Sequence, residues 1–408
     1  MVPEGWKATE IDSLAILKSG GTPSKRNSAY WGGSHPWVSA KDLKTHFISN
    51  SIDTLTDAGF LAAKIAPQGA VLVLVRGMTL LKDFPVGIAT RDIAFNQDIK
   101  ALIAKPGVDS LFLLYLLASN KNGIRQLVNT AGHGTGRLDT EQLKAYPVNI
   151  PAVNEQTKIA QILSIWDKAI ETTEKLIENS KAQKKALMQK LLTGKRRIPG
   201  FRKKWREVSI KDMGKVVSGG TPDTSNPDYW DGEILWTTPT DITALKTNYI
   251  SDTKRKITQK GLKESSAILL PVGALLVCTR ATIGYSAIAQ KRITTNQGFK
   301  SLIPDQEFDS DFIYYLTQHF KHEFVRYACG STFLELSKKD FEKRTFFVPE
   351  KQEQLRISGV LNCAANEIYK LSASLDLLRT QKKALMQQLL TGKRRVKIKN
   401  PKAAKSVA

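Results

Sequence analysis

The amino-acid sequence predicts an α+β protein in which one module, a mixed α/β domain followed by a long helix, occurs twice. The string QKKALMQKLLTGKRR at residues 183–197 returns as QKKALMQQLLTGKRR at residues 381–395, with Lys190 replaced by Gln388. The string Ser-Gly-Gly-Thr-Pro also occurs twice, at residues 19–23 and 218–222. A period of about 200 residues is too long for a solenoid and indicates an internal, pseudo-two-fold duplication of a whole module.

The residues that precede each repeated string predict a long helix. Apolar or small residues recur every three or four positions from Ile159 to Leu191, and again from Ile357 to Leu389. Each pattern follows a proline and ends at a Thr-Gly pair, which is typical of a helix end. Two helices of about forty residues would each be roughly 60 Å long, and their narrow apolar stripes favour an antiparallel coiled coil. In the alternative, each helix lies on its own domain, although ordinary helices average only about eleven residues.

These patterns divide the chain into two globular domains, two helical segments and a tail. The β-branched runs that end at Arg76 and Arg280 predict buried strands. Asp109 and Asp309 each precede a short apolar segment and are predicted to cap a helix. The predicted order is a first domain at 1–150, a helix segment at 151–197, a second domain at 198–348, a helix segment at 349–395 and a basic tail at 396–408.

Composition indicates a polyanionic partner. The chain has 61 Lys and Arg residues against 38 Asp and Glu residues, a net charge of +23. Such an excess favours nucleic acid, although membrane-surface proteins share it. No apolar run is long enough to span a bilayer and no export signal is recognisable, so we expect a cytoplasmic protein. The three cysteines lack a Cys-x-x-Cys pair, which predicts reduced thiols and neither disulfides nor zinc.

Catalytic motifs are broken or missing in the sequence. Residues 226–229, Asn-Pro-Asp-Tyr, depart at the third position from the Asn-Pro-Pro-aromatic strip of amino-methyltransferases. The SGGTPSK string does not fit a phosphate loop. Asp42 is interpreted as a turn or cap residue, and His319 and His322 have no Cys or His pair to complete a zinc site. We therefore predict no catalytic residue, no metal and no cofactor in this chain.

Together these motifs resemble the specificity subunit, HsdS, of Type I restriction-modification enzymes. The resemblance covers essentially the whole chain. The features that carry it are the duplicated module, the two SGGTP strings, the Asn-Gln pairs at 96–97 and 296–297, the Pro-x-x-x-Glu-Gln motifs at 151–156 and 349–354, and LLTGKRRIPGF at 191–201. The resemblance implies two target recognition domains, each for one half of an asymmetric, bipartite site in double-stranded DNA, with the helices as spacer.

The same resemblance implies partners and the place of the chemistry. Two copies of a modification subunit would dock on the helices and carry the methyltransferase activity. Restriction subunits would join them to translocate and cut DNA. S-adenosylmethionine, ATP and Mg²⁺ would then belong to these partner subunits.

Candidate DNA contacts are basic residues of the two domains, because phosphate contacts need Lys and Arg on one surface. A solvated surface is the alternative for each of them, and a buried structural ion pair is a further alternative for the two strand-end arginines. The Asn-Gln pairs could bind adenine, but their presence in both copies favours a framework turn. The candidates are Lys25, Arg26, Lys41, Arg76 and Arg137 in the first domain and Arg255, Lys256, Arg280, Lys338 and Lys339 in the second.

The near-identical helix ends are predicted to be equivalent docking sites, one for each modification subunit. Lys184, Lys185, Lys382 and Lys383 are the candidate docking residues and are expected to face outward at least in part. In the competing explanation, the ends are alike because each packs against the start of the other helix. A different function is also open, that of a coiled-coil assembly adaptor whose globular domains bind proteins and have no DNA sequence preference.

Overall fold

The computed structural model describes residues 2–131, 134–329 and 334–397, so most of the predicted basic tail lies outside the described residues. The chain forms two compact units. Unit 1 consists of Met1–Thr172 and Asp376–Ala408, and unit 2 of Thr173–Leu375. Each unit therefore holds one globular domain, the first part of the long helix that follows it and the last part of the other long helix.

Domain 1, the globular part of unit 1, is built on a five-stranded sheet. The strand Val71–Leu74 is buried on both faces, because the apolar helix Ser110–Ser119 covers one of them. Asp109 caps this helix by accepting the backbone N–H of Phe112 at 2.9 Å, as predicted. In sheet order the five strands are Ala15–Ser19, Ile99–Ala104, Val71–Leu74, Val86–Ala89 and Phe47–Ile48, and the pairing is antiparallel except for the last, parallel pair.

Three smaller sheets and short helices complete domain 1. The four-stranded sheet contains Asp53–Leu55, Trp31–Val38, Ile93–Phe95 and Ile65–Ala66; the three-stranded sheet contains Val128–Ala131, Thr135–Leu138 and Arg76–Gly77; and Lys7–Glu10 pairs with Pro147–Ile150. The other α-helices are Ile11–Leu14, Asp57–Leu61, Lys121–Arg125 and Thr140–Lys144, and the 3₁₀ helices are Ser28–Tyr30 and Met78–Leu81.

Domain 2, the globular part of unit 2, repeats most of this arrangement, with three sheets among its described residues instead of four. Asp309 caps the helix Ser310–His319 by accepting the backbone N–H of Phe312 at 2.9 Å, as predicted. The five-stranded sheet contains Gly214–Ser218, Phe299–Pro304, Leu275–Cys278, Ser286–Ala289 and Tyr249–Ile250; the three-stranded sheet Arg255–Ile257, Trp230–Thr237 and Ile293–Thr295; and Arg206–Ser209 pairs with Thr345–Val348. The shorter helices are Ile210–Met213, Pro227–Tyr229, Pro239–Thr243, Gln259–Lys263, Lys321–Arg326 and Lys338–Glu342.

The two long helices span Val153–Leu191 and Lys351–Leu389, 39 residues each, which confirms the predicted lengths. Each is followed by a glycine in the left-handed region, Gly194 at φ +68° and Gly392 at φ +70°. In unit 2 the end of the first helix lies antiparallel to the start of the second, where the Ser180 hydroxyl bonds to Glu367. Unit 1 has the corresponding arrangement, with the start of the first helix against the end of the second.

The hydrophobic cores explain why both helices contribute to each unit. The core of unit 1 combines domain 1 with Ile159 and Leu163 of the first helix and with Leu389 from the end of the second. The core of unit 2 combines domain 2 with Leu191 from the end of the first helix and with Ile357 near the start of the second. The helices thus pack on each other, as predicted, and each also packs on both globular domains, its start on one and its end on the other. None of the described helices combines the length and the apolar character needed to cross a membrane.

Candidate nucleic-acid interface and helix junctions

The Ser-Gly-Gly-Thr-Pro loops are held by the same contacts in both domains. In domain 1 the indole N–H of Trp37 donates to the carbonyl oxygen of Gly21 at 3.1 Å, and the Thr22 hydroxyl donates to Gln97 Oε1 at 2.6 Å. The loop is therefore tied to a strand and to the Asn-Gln pair. Domain 2 has the same bonds between the corresponding residues Trp236, Gly220, Thr221 and Gln297.

The Asn-Gln pairs form framework turns. Asn96 accepts the backbone N–H of Asp98 through Oδ1 at 3.2 Å, and Asn296 accepts that of Gly298 at 2.9 Å. A Cβ atom at Gly20 would lie 2.1 Å from the carbonyl oxygen of Asn96, so the loop and the turn meet at backbone distance. These contacts support the framework interpretation and leave the asparagines little freedom to bind a base.

One candidate DNA contact in each domain lies against a tryptophan pair. Lys25 Nζ lies 5.9 Å and 5.7 Å from the ring centres of Trp31 and Trp37. The guanidinium of Arg255 lies 3.6 Å from the ring of Trp230 in domain 2. Both cations remain exposed, and contact with an aromatic face restricts their side chains while leaving donors for an anion.

The strand-end arginines have different neighbours in the two domains. Arg76 pairs across antiparallel strands with Arg137, and both are exposed. Like charges directly opposite one another destabilise a sheet, so a bound anion would relieve this pair. Arg280 of domain 2 is bridged instead to Glu335, with Nη2 2.7 Å from the carboxylate. Arg280 thus forms an ion pair, although it is partly exposed and not the buried pair of the alternative, whereas Arg76 has none among the described residues.

The other candidates are surface residues. Arg26 and Lys41 are exposed in domain 1. In domain 2 Lys256 lies 3.7 Å from Asp252, Lys338 lies 3.5 Å from Glu342, and Lys339 is exposed. Such exposed pairs contribute little to stability, so they leave these lysines available to a polyanion. Five candidates lie in each unit, and their role in DNA binding stays a prediction. Asp42 caps a turn, accepting the backbone N–H groups of Ser39 and Ile52.

Pairs of a buried glutamate and a partly exposed arginine join the start of each long helix to the segment that follows the other, and sequence reasoning missed them. In unit 1 Glu155 accepts two bonds from Arg395, both 2.7 Å long. In unit 2 Glu353 accepts two from Arg197, at 2.7 Å and 2.6 Å. The glutamates belong to the Pro-x-x-x-Glu-Gln motifs and the arginines end the repeated strings, so the repeats themselves contained the signal. The neighbouring glutamines, Gln156 and Gln354, bond to the N–H groups of the helix-capping aspartates.

The four candidate docking lysines differ in exposure. Lys185 and Lys383 are exposed, and Lys184 is half-buried with Nζ 5.1 Å from the ring centre of Tyr315. Lys382 is only 6% exposed, because it is paired with a carboxylate inside unit 1. The expected outward orientation is therefore wrong for Lys382. Partner binding by the other three stays a prediction.

The carboxylate that binds Lys382 is Asp167, at the centre of a buried cluster. It accepts the Tyr115 hydroxyl at 2.7 Å and lies 2.5 Å from Lys382 Nζ and 3.1 Å from His46 Nδ1. Burial alone would raise the pKa of Asp167, but the hydrogen bonds and charges of His46 and Lys382 outweigh it and lower the pKa to about 2. The same burial and the neighbouring carboxylate raise the pKa of Tyr115. The cluster is thus a charged network that fastens the end of the second long helix to domain 1.

Within the described residues, no three His, Cys, Asp or Glu side chains come together as metal ligands. Cys278 is buried, and burial raises the pKa of its thiol to about 12, so it is a packed core residue. The polar side chains named above thus belong either to structural clusters or to the exposed basic surface of the described residues.

Comparison with known proteins gives a family match over both modules. The model of the family described as Type I restriction modification DNA specificity domain matches residues 3–180 and 202–371. The MjaIX specificity subunit of Methanocaldococcus jannaschii is 40% identical over 162 residues, which are 39% of this chain and 38% of that protein. The EcoR124I/EcoR124II specificity subunit of Escherichia coli is 29% identical over 165 residues, 40% of each chain. These two matches therefore span about two fifths of each relative.

Other similarities extend over the whole chain. The MjaVIII specificity subunit of Methanocaldococcus jannaschii is 24% identical over 419 residues, covering 97% of this chain and 94% of the relative. The S subunit of a Type I restriction-modification system from M. genitalium superposes with a TM-score of 0.63 at 17% identity, covering 96% and 99% of the two chains. A chain from a structure on assembly of the type I R-M system gives 0.59 at 16% identity, covering 97% and 100%. At such identities the structural similarity establishes the fold.

Proposed function

Since this chain belongs to the Type I restriction modification DNA specificity domain family, we propose that it is the DNA-recognition subunit of a Type I restriction-modification system. The segment 1–150 would bind one half of a bipartite, asymmetric site and the segment 198–348 the other. One observation carries this proposal: the family match occurs once in each module, over domains that share a framework and differ in their exposed charges.

The difference between the domains favours two different half-sites. The shared contacts, from the Trp37–Gly21 bond to the framework turns, hold equivalent loops in both copies. The cations beside those loops differ in type and in neighbours: Lys25 in one domain and Arg255 in the other contact the tryptophans, and Arg137 is replaced opposite the strand end by Glu335. Different donors and acceptors select different bases, because each base pair presents its own pattern in the major groove.

The chain is proposed to have no catalytic activity of its own. Two modification subunits would supply methyl transfer, and restriction subunits translocation and cleavage, with S-adenosylmethionine, ATP and Mg²⁺ bound by those partners. The purified chain supplied with all three should therefore neither methylate nor cleave DNA, and methylation should appear on adding the modification subunit. Methyl transfer by the chain alone would contradict the proposal.

Domain exchange tests the independence of the two half-sites. Replacing residues 1–150 by the corresponding segment of another family member should change one half of the methylated sequence and leave the other half intact. Sequencing of methylated positions in cells that carry the modification subunit gives the result. A change in both halves would contradict separate recognition by the two domains.

Salt dependence separates this function from a coiled-coil adaptor. Each phosphate contact lowers log affinity by about 0.9 per unit of log salt, so several Lys and Arg contacts give a steep slope. Fluorescence anisotropy with a duplex that contains the methylated sequence measures it. An adaptor would show a flat response and equal affinity for a scrambled duplex.

A further inference from the structure

A cavity in unit 2 lies between the end of the first long helix and the helix Ser310–His319 of domain 2. Its volume is about 480 Å³, within the range of ligand-binding cavities. Basic and aromatic side chains dominate its lining, which includes Lys181, Lys184, Lys185, Tyr314, Tyr315 and His319.

Lys184 has no anionic partner among the described residues. It is half-buried, and its ammonium lies 5.1 Å from the ring centre of Tyr315. The Tyr315 hydroxyl is already engaged, donating to Asn362 Oδ1 and accepting from Asn248 Nδ2, both at 2.7 Å. Burial lowers the pKa of Lys184, with no carboxylate to oppose it. Since Lys181 and Lys185 are exposed at the same cavity, the site carries positive charge without a built-in counterion.

The duplicated module shows which group is missing. Lys382 stands 198 positions after Lys184 in the repeated string, and its ammonium lies 5.3 Å from the ring centre of Tyr115. In unit 1 this arrangement is completed by Asp167, 2.5 Å from Lys382 Nζ and 2.7 Å from the Tyr115 hydroxyl. The same offset of 198 positions takes Asp167 to Ala365 in the second helix. Unit 2 therefore repeats the lysine and the tyrosine and lacks the carboxylate.

Two acidic residues on the elements around the cavity are engaged elsewhere. Asp311 accepts the hydroxyl of Tyr249, and Glu367 accepts that of Ser180. Neither forms an ion pair with Lys184. A half-buried ammonium without a counterion is costly, whereas a carboxylate placed beside it would gain a charge-assisted hydrogen bond.

We propose that this cavity docks an acidic side chain of a protein partner, so that a glutamate or aspartate from the partner pairs with Lys184 as Asp167 pairs with Lys382 in unit 1. This inference rests on the assembly part of the proposed function, because Lys184 and Lys185 lie on a helix end expected to dock a modification subunit. It adds that the two helix ends are unequal: the end in unit 2 is open to a carboxylate, and the end in unit 1 is already filled.

Two aspartate substitutions on one helix test the proposal with matched charge. Ala365→Asp supplies the missing carboxylate from within, while Ala373→Asp adds the same charge at an exposed position of the same helix. The probe is a fluorescently labelled hexaglutamate peptide, with hexaglutamine as the uncharged comparison, and binding to the full chain is measured by anisotropy at moderate salt. Ala365→Asp should weaken binding at least about tenfold, the loss of one bond to a charged group, while Ala373→Asp leaves it nearly unchanged. Lys184→Met should weaken binding as Ala365→Asp does.

Several outcomes would overturn the proposal. Equal weakening by the two aspartate variants would mean that the net charge of +23 attracts the peptide without a site. Complete displacement of the peptide by low millimolar inorganic phosphate would indicate a site for small anions and no docking of a side chain. Binding of specific DNA by the same variants is measured in parallel. If the peptide does not distinguish Ala365→Asp from Ala373→Asp while DNA binding keeps its sequence preference, only the docking site is refuted. If the peptide distinguishes the two variants while DNA binding shows no sequence preference, only DNA recognition is refuted.

Discussion

The ion pair between buried Glu353 and partly exposed Arg197 should contribute strongly to the stability of unit 2. The Glu353 side chain is 1% exposed and accepts two bonds from Arg197 and one, 3.3 Å long, from the indole of Trp205. Arg197→Met removes two of the three donors and leaves a buried carboxylate without its counterion. Breaking a buried pair in this way costs about 3–5 kcal/mol. Because Trp205 still donates, we expect the lower end of that range, about 3 kcal/mol.

Hydrogen exchange can assign this loss to one unit. A loss of about 3 kcal/mol lowers the protection of core amides roughly a hundredfold, since every 1.4 kcal/mol is a factor of ten. The amides to follow are those of the strand Leu275–Cys278 in unit 2 and the strand Val71–Leu74 in unit 1. Arg197→Met should lower protection in unit 2, and Arg395→Met, its counterpart, should lower it in unit 1.

The double variant Arg197→Met/Glu353→Gln separates loss of the counterion from loss of packing. It should recover most of the protection, because it removes the uncompensated buried charge that makes the single variant costly. If the double variant were as destabilised as Arg197→Met, packing by the arginine would be responsible. A decrease below threefold in Arg197→Met would refute the counterion argument itself.

Three further predictions follow from single contacts. The pKa of about 2 for Asp167, below the ordinary value of 3.8, contributes about 2 kcal/mol to unit 1 that is present above pH 4 and lost as the pH falls towards 2; Asp167→Asn should abolish this dependence in acid unfolding curves. Arg76→Gln/Arg137→Gln should weaken DNA binding and reduce the salt slope by about 2, measured by anisotropy, without destabilising unit 1. Gly219→Ala places a Cβ 1.9 Å from a backbone carbonyl and should destabilise unit 2 by at least about 2 kcal/mol in urea unfolding, whereas Gly359→Ala, with no atom within 4 Å, should stabilise it by about 1 kcal/mol.

Local patterns predicted the elements well because they depend on neighbouring residues. Helix lengths follow from apolar periodicity and from the glycines that end them, and the caps at Asp109 and Asp309 follow from one side chain and an N–H three residues away. The fold class followed from the duplication of these elements, and the similarity to an S subunit structure agrees with it.

Contacts between distant residues could not be predicted in this way. Arg395 and Glu155 are separated by 240 positions and Arg197 and Glu353 by 156. Nothing local distinguishes these arginines from their neighbours in a Lys-Arg-Arg string. The prediction that the docking lysines face outward was wrong for Lys382 for a related reason. Lys184 and Lys382 occupy identical positions of the repeat, but Lys382 is paired with Asp167 of the opposite helix, whereas the position equivalent to Asp167 is Ala365.

The near-identity of the two helix ends is explained more fully by their packing than by two equivalent partners. In each end the paired leucines, 191–192 and 389–390, are buried in a core. The following glycine takes a positive φ, and the last arginine binds a buried glutamate of the other helix. These roles fix much of the string without a partner, and the lysines that were expected to face a partner have different surroundings in the two units. Identical sequence therefore supports identical junctions, and equivalent docking has to be tested separately at each end.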